Sequence, residues 1–164
     1  MRIAGAFRFD ARLDEVFRAI CDPATLMAVI PGCEAIEQIA PDEYRGRITL
    51  RLPGFAGSYR TSVRLVDVAP PDRAGLEGSV DGALGSISGR ADFSLADDPD
   101  ATLLDYAGQA VVQGPLARLD SRFVERFAES LVHQGLQALD HRLAADRSAA
   151  AVTDERQPPR EAPE

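Results

Sequence analysis

Apolar and polar residues alternate along most of the first two thirds of the chain. In residues 1–10, Ile3, Phe7 and Phe9 share one face of an extended chain, and charged residues occupy the other. Six further segments between Cys33 and Gln113 repeat this period of two, namely 33–40, 43–52, 56–69, 74–82, 87–95 and 102–113. Short turns rich in proline, glycine and aspartate separate them. The pattern therefore predicts seven strands, with antiparallel neighbours.

Helical periodicity occurs at two places. Two short helices are predicted after the first strand, the second with Asp22 as N-cap and Pro23 at its first position. That helix is expected to stop at Pro31-Gly32, in a type II turn. A period of 3.6 from Leu116 to about Ala145 predicts one long helix. The predicted fold class is α+β, with a curved antiparallel seven-stranded sheet wrapped around the long C-terminal helix, which covers its inner face.

The chain is predicted to form one domain over residues 1–146. Residues 147–164 are polar and rich in proline towards their end, so they are expected to be a disordered tail. The pattern of the first residues predicts no signal peptide, and no apolar run is long enough to span a membrane. With two cysteines only, it predicts a cytoplasmic protein.

Glycines recur on the predicted inner face of the sheet. Gly46, Gly57, Gly78, Gly89 and Gly108 each replace an apolar side chain in the alternating pattern. A missing side chain permits either a sharp bend of the strand or empty space. Both alternatives are compatible with a cavity between the sheet and the long helix.

The long helix carries two apolar stripes. The first contains Leu116, Leu119, Phe123, Phe127, Leu131 and Ala138, and it is predicted to face the sheet. Ser130 and Gln134 fall in the same sector, where they either bond to nearby polar groups or orient a ligand. The second stripe contains Val132, Leu136, Leu139 and Leu143, for which packing on the two short helices, a dimer contact and contact with a membrane surface are the alternatives. Its end, near Leu139 and Leu143, is expected to be partly exposed and available to a partner or a membrane surface.

These patterns predict a set of residues around a ligand cavity. Met27, Ile30, Phe55 and Ile87 are expected to form the mouth, and Gly89 to leave space inside. The predicted ligand-binding residues are Met27, Ile30, Phe55, Tyr59, Ile87, Gly89, Tyr106, Phe123, Phe127, Ser130, Leu131 and Gln134. The mixture of apolar walls and a few polar groups is typical of a small-molecule pocket.

Charge and composition narrow the functional classes. The net charge is −8, from 26 acidic and 18 basic residues, which argues against nucleic acid as a partner. All basic residues are arginine, so lysine chemistry is excluded. No cysteine or histidine spacing matches a metal site. Glu34 follows Cys33 and should raise the pKa of that thiol, so Cys33 is predicted to be structural rather than catalytic.

Several stretches resemble the CoxG family of carbon monoxide dehydrogenase subunits, within the START-like helix-grip (SRPBCC) superfamily. They are DPATLMAVIPGCEAIEQI, EYRGRITLRLPGFAGSYRTSVRL, GALGSISGRADFSL and GPLARLDSR, within a resemblance over residues 1–145. The resemblance implies a helix-grip fold around a hydrophobic cavity. It also implies a non-enzymatic accessory protein that requires no cofactor, binds a quinone or another lipophile, and serves a CO dehydrogenase-type molybdenum hydroxylase.

The resemblance further implies that the protein assists the maturation of that enzyme, recruits it to the membrane or delivers a quinone. It also implies peripheral contact with the inner face of the cell membrane. It carries over no catalytic residue. The alternative from the same superfamily is a polyketide cyclase/aromatase-like enzyme, for which Tyr59, Tyr106 and Asp120 are the candidate acid–base groups. The sequence leaves the ligand, the partner enzyme and the oligomeric state open.

Overall fold

The computed structural model describes residues 1–51 and 56–155, the last five of them by their backbone alone. The chain begins with strand β1 (Arg2–Phe9) and helices α1 (Leu13–Ile20) and α2 (Pro23–Val29). Strands β2 (Cys33–Ala40), β3 (Glu43–Leu50), β4 (Gly57–Ala69), β5 (Arg73–Gly82), β6 (Gly85–Asp98) and β7 (Ala101–Gln113) follow. A 3₁₀ helix (Gly114–Arg118) leads into the long helix α3 (Ser121–Glu155).

The seven strands form one antiparallel sheet. Strands β2 to β7 pair in sequence order, and β1 returns to pair with β7 at the far edge. The predicted strand count, direction and order of helices are confirmed. The fold is the helix-grip arrangement, in which the sheet wraps around α3.

The inner face of the sheet is the one that the alternation predicts. Tyr44, Tyr59, Phe93 and Leu104 are buried, whereas their neighbours along each strand are mostly exposed. Directly paired residues share a face, as with Gly78 and Gly89 on β5 and β6. Local periodicity was therefore sufficient to assign the two faces.

Most of the inner-face glycines do not leave empty space. A Cβ atom at Gly89 would collide with the carbonyl oxygen of Gln109, and one at Gly46 would collide with that of Ala35. These glycines permit close approach of neighbouring strand backbones. This favours the first of the two alternatives, a bend of the strand, over empty space. At Gly5 the room is taken by the ring of Tyr106, whose hydroxyl oxygen lies 2.6 Å from the Cβ position. The expectation that Gly89 contributes cavity volume is therefore wrong.

The described residues form two separate apolar clusters in the interior. The larger cluster joins α1, α2, β1, β5 to β7 and the second half of α3, and it includes Phe9, Val16, Val29, Phe93 and Leu139. In the smaller cluster, the buried residues of the described part of the chain are Leu50, Tyr59 and Leu116. The apolar side chains packed around those three, on the sheet and the first half of α3, are only partly buried. The first half of α3 thus covers the sheet less completely than the second half.

Helix α3 begins later than predicted. A 3₁₀ helix occupies residues 114–118, and Leu119 is extended, so the helical phase is set from Ser121 rather than from Leu116. Phe123, predicted to face the sheet, is 43% exposed, and its neighbour Val124 is buried. Phe123 shares a helical sector with Phe127, so the period was correct, but burial also depends on what packs against the first turn of the helix.

The second half of α3 is anchored to the body of the domain. Leu139 and Leu143 are buried in the larger cluster, so the expected exposed end of the second stripe is wrong. Their sector faces α1, α2 and β1, which the sequence period alone does not reveal. The backbone N–H of Asp10 donates to the Asp140 carboxylate at 3.0 Å, and Arg147 donates to the Asp10 carbonyl.

Helix α3 also extends further than predicted, through Glu155 rather than to about Ala145. The segment after Arg147 begins with one serine and three alanines, and alanine has the highest helix propensity. The helix therefore runs into the region expected to be a disordered tail. The division of the chain at residue 146 stays a prediction.

Candidate functional site

A tight turn after α2 forms one wall of the candidate site. The N–H of Cys33 donates to the carbonyl of Ile30 at 3.1 Å, and Gly32 has a φ of 76°, as expected for a type II turn. The N–H of Thr49 donates to the carbonyl of Gly32 at 2.8 Å, which fixes the turn against the end of β3. A Cβ atom at Gly32 would collide with the Thr49 carbonyl oxygen, so only glycine fits.

A cleft of about 510 Å³ opens between this turn, the end of β3 and the first half of α3. Its volume lies within the range of small-molecule pockets. The residues that line it are Pro31, Gly32, Cys33, Glu34, Thr49, Leu50, Arg51, Phe127, Leu131 and Gln134.

The floor of the cleft is apolar. Leu50 is buried there, and Phe127 and Leu131 of α3 lie opposite, partly buried. All three belong to the smaller cluster, which continues inward to Tyr59 and Ile87. An apolar group that enters the cleft would therefore extend the contacts of an incompletely covered core.

The rim of the cleft is polar, and the carboxylate of Glu34 on it is already bound. The hydroxyl of Thr49 donates to Glu34 Oε1 at 2.5 Å, and Arg47 Nε donates to Glu34 Oε2 at 3.1 Å. The Thr49 hydrogen bond, followed by the charge and hydrogen bond of Arg47, lowers the pKa of the Glu34 carboxyl. On α3, Gln134 Nε2 donates to Ser130 Oγ at 3.2 Å.

Cys33 lies in the cleft but is not activated. Burial raises the pKa of its thiol, and the neighbouring charge of Glu34 raises it further, against the lowering effect of a hydrogen bond with the Ala35 backbone. A raised pKa keeps the thiol protonated near neutral pH, where a catalytic cysteine needs the thiolate. This geometry agrees with the predicted structural role of Cys33.

The structure brings together only part of the predicted ligand-binding set. Phe127, Leu131 and Gln134 line the cleft, and Tyr59 and Ile87 lie in the cluster beneath it. The remaining described residues of the set do not line the cleft. Met27 and Phe123 are 44% and 43% exposed, and Ser130 is also exposed. Ile30 is the C-cap of α2, Tyr106 packs on the larger cluster, and Gly89 lies against the backbone of the neighbouring strand. Phe55 lies outside the described residues.

Residues at the end of β3 and in the turn were missed as site residues. Pro31 and Gly32 were predicted to turn the chain, and Thr49 and Arg51 fall at the polar positions of the alternating segment 43–52, which predicts the outer face for both. Their contribution to the cleft depends on the contact between Gly32 and Thr49, which are 17 positions apart in sequence. Local periodicity contains no signal for that contact.

The candidate acid–base groups of an enzyme do not converge. Asp120 caps α3, accepting from the N–H of Arg122 at 2.8 Å and that of Phe123 at 3.4 Å. Tyr59 is 2% exposed in the smaller cluster, whereas Tyr106 packs against the larger one, where burial raises its pKa. Among the side chains that the structure describes, in residues 1–51 and 56–150, no group of three acidic, histidine or cysteine residues could hold a metal ion.

Comparison with known proteins assigns the chain to a family. The family model of the carbon monoxide dehydrogenase subunit CoxG matches residues 5–144. The chain belongs to the CoxG family. A search of curated proteins finds no match to this CoxG chain.

In the part of the chain that the structure describes, no helix has both the length and the apolar character needed to cross a membrane.

Solved structures share the fold of this CoxG chain. A conserved protein from Geobacillus kaustophilus is 23% identical with a TM-score of 0.85, over 88% of this chain and 96% of that one. A START superfamily protein from Mycobacterium smegmatis is 16% identical with a TM-score of 0.64, over 88% and 97%. The di-domain ARO/CYC StfQ from the steffimycin biosynthetic pathway is 12% identical with a TM-score of 0.63, over 90% and 52%. At these identities, the similarities establish a START-like fold.

Proposed function

We propose that this CoxG protein is a non-enzymatic accessory protein that binds a lipophilic small molecule in the cleft between the Pro31-Gly32 turn, β3 and α3. The observation that carries the proposal is the apolar floor. Leu50, Phe127 and Leu131 line a 510 Å³ space that leads into an incompletely covered core. Membership of the CoxG family supports an accessory role.

A quinone is the ligand that we propose first. Its isoprenoid tail needs only apolar wall, as at Phe127 and Leu131, and its ring carbonyls accept hydrogen bonds from donors at the rim. Burial contributes about 0.8 kcal/mol per CH₂ group. Affinity should therefore rise with tail length until the space under α3 is filled.

The proposed partner is a CO dehydrogenase-type molybdenum hydroxylase, and the support for it is the name of the matching family. The service would be maturation, membrane recruitment or delivery of the quinone. Delivery requires the protein to collect its ligand at the membrane, so we propose a cytoplasmic protein that makes peripheral contact with the inner face of the cell membrane.

A matched pair of helix variants tests the proposed site. Phe127→Ala removes an aromatic wall of the cleft, whereas Phe123→Ala removes an exposed aromatic ring one turn earlier on α3. We expect Phe127→Ala to weaken binding of a short-tailed menaquinone or ubiquinone analogue at least tenfold, because an aromatic contact of about 1.5 kcal/mol or more is lost. Phe123→Ala should bind like the wild type in the same fluorescence titration.

Two results would contradict the proposal in different ways. Equal affinity of wild type and Phe127→Ala, with both folded by circular dichroism, would place the ligand elsewhere. A lack of binding to any quinone or other lipophile by the wild type would remove the carrier function itself and leave a pure interaction subunit.

The alternative is a cyclase/aromatase-like enzyme, supported only by the shared fold with StfQ. Such chemistry needs acid–base groups that converge on one substrate. Tyr59, Tyr106 and Asp120 lie in three different surroundings, so the geometry favours the accessory role.

A further inference from the structure

Among the described residues, one charged side chain of the cleft has no partner. Two ionisable groups besides the Cys33 thiol line the cleft, Glu34 and Arg51. Glu34 is held by Thr49 at 2.5 Å and by Arg47 at 3.1 Å, so a cation already neutralises its charge. Arg51 is exposed and forms no ion pair or hydrogen bond with any other described residue. The uncompensated charge at the rim is therefore positive.

This positive rim contrasts with the rest of the protein. The net charge of −8 produces a long-range field that attracts cations and repels anions. An anion can be favoured at the cleft only through a short-range contact. A guanidinium group supplies such a contact, because its planar set of N–H donors matches the two oxygens of a carboxylate or phosphate.

We propose that Arg51 is the specificity-determining residue of the cleft and receives the polar head of an amphiphile whose tail lies on Leu50, Phe127 and Leu131. An anionic head, a carboxylate or a phosphate, is preferred over a neutral head, and a cationic head is disfavoured. The inference rests on the proposed binding of a lipophile and adds the chemical class of its head. Neutral quinone carbonyls are also acceptors for Arg51, but they carry no charge to pair with it.

Three probes with the same ten-carbon tail test this order. Decanoate, 1-decanol and decylammonium differ in the charge of the head and share the apolar part. Their affinities are measured at pH 7.5 by displacement of a fluorescent apolar probe, below the concentrations at which they form micelles. For the wild type we expect decanoate to bind most tightly and decylammonium least tightly.

The variant Arg51→Gln removes the charge and keeps a polar side chain of moderate length. We expect it to weaken decanoate about three- to fivefold, which is the upper range for an exposed ion pair. Binding of 1-decanol should change less than twofold, and decylammonium should bind more tightly. Added salt should weaken decanoate in the wild type, because exposed charge pairs are screened.

Arg60→Gln is the matched control. Arg60 lies on β4, is exposed, does not line the cleft and has no ion pair with any side chain that the structure describes. The control changes the net charge by the same amount as Arg51→Gln. It should leave the order of the three affinities unchanged, so an effect of Arg51→Gln alone reports a local contact.

The anionic head could belong to a free amphiphile or to a lipid in a bilayer. Sedimentation with phosphatidylglycerol and phosphatidylcholine vesicles separates these sources. An Arg51 effect on decanoate identifies a free amphiphile, and an effect only on phosphatidylglycerol vesicles identifies a bilayer lipid. Either result supports recognition of an anion by Arg51.

The proposal is overturned if folded Arg51→Gln binds decanoate with the same affinity as the wild type does, binds 1-decanol with the same affinity as the wild type does, and also binds the vesicles unchanged. That result leaves the proposed function intact, because lipophiles still bind. If none of the three probes, no quinone analogue and no vesicle binds, the proposed function and this inference are both wrong.

Discussion

At the scale of single residues, the site depends on how a few polar groups are paired. Glu34 would be an unfavourable neighbour for an acceptor head, but the Thr49 hydroxyl and Arg47 bind both of its oxygens. Arg51, two positions beyond Thr49 along the chain, lacks such a partner among the described residues. Glu34 and Arg51 carry equal and opposite charges. The rim is nevertheless positive, because hydrogen bonds already pair the charge of Glu34 and no described residue pairs that of Arg51.

The lowered pKa of Glu34 predicts a pH-dependent stability. A carboxyl whose pKa is lower in the folded than in the unfolded protein stabilises the fold above its unfolded pKa of about 4.3. That contribution is lost as the pH falls through the lower folded pKa. The variant Glu34→Gln should therefore unfold at lower urea concentration than wild type at pH 7, with a smaller difference at pH 3.

The control for this measurement is Glu37→Gln on the same strand, since Glu37 has no ion pair in the described part of the chain. It should show little difference from wild type at either pH. If Glu34→Gln lowered the urea concentration of unfolding by the same amount at pH 3 and pH 7, the carboxylate charge would not be what stabilises the turn.

At the scale of elements, the start of α3 decides which side chains face the cleft. Asp120 accepts hydrogen bonds from two N–H groups of the first turn, and the 3₁₀ helix before it is fixed where the Leu116 N–H donates to the Leu84 carbonyl at 3.0 Å. These contacts fix where the helix starts, which places Phe127 and Leu131 along the cleft and leaves Phe123, in the first turn, 43% exposed. The group considered as an enzymatic acid is thus a helix cap.

Two substitutions of Asp120 separate these roles. Asp120→Ala removes the cap and should lower the free energy of unfolding by about 1 kcal/mol. Asp120→Asn preserves the acceptor oxygen and should stay close to wild type, because asparagine caps as well as aspartate. Urea denaturation measures both, and equal losses for the two variants would show that charge, rather than capping, is what Asp120 supplies.

At the scale of the whole molecule, the two apolar clusters give the domain a closed end and an open end. The second half of α3 packs with α1, α2 and β1 through buried residues such as Leu139. The first half covers a cluster with three buried residues and a cleft beside it. A ligand in the cleft would complete the smaller core without disturbing the larger one.

Hydrogen exchange should reveal this division. Amides of residues 121–131 should exchange faster than those of residues 136–143 in the same helix, because less apolar surface is buried beneath them. A bound quinone analogue at a hundredfold excess over its Kd should slow exchange of the first group up to about a hundredfold. Mass spectrometry of peptic fragments measures both effects, and uniform exchange along α3 would contradict the division.

The sequence by itself determined the strands, their faces and the order of elements. Alternation and helical period are local signals, and they placed Tyr44, Tyr59 and Phe93 inside correctly. The Pro31-Gly32 turn was also predictable, since proline and glycine fix backbone angles with little help from neighbours. The CoxG family could be identified from the same stretches.

Only the tertiary structure decided where the space lies. Phe123 shares a helical sector with Phe127, but its exposure depends on which distant elements cover the first turn of α3, so it was misplaced. The room at Gly89 is taken by a neighbouring strand, and that at Gly5 by a tyrosine ring. The cleft requires Gly32, Thr49 and Leu131 to meet, and such contacts between residues far apart in sequence leave no trace in local periodicity.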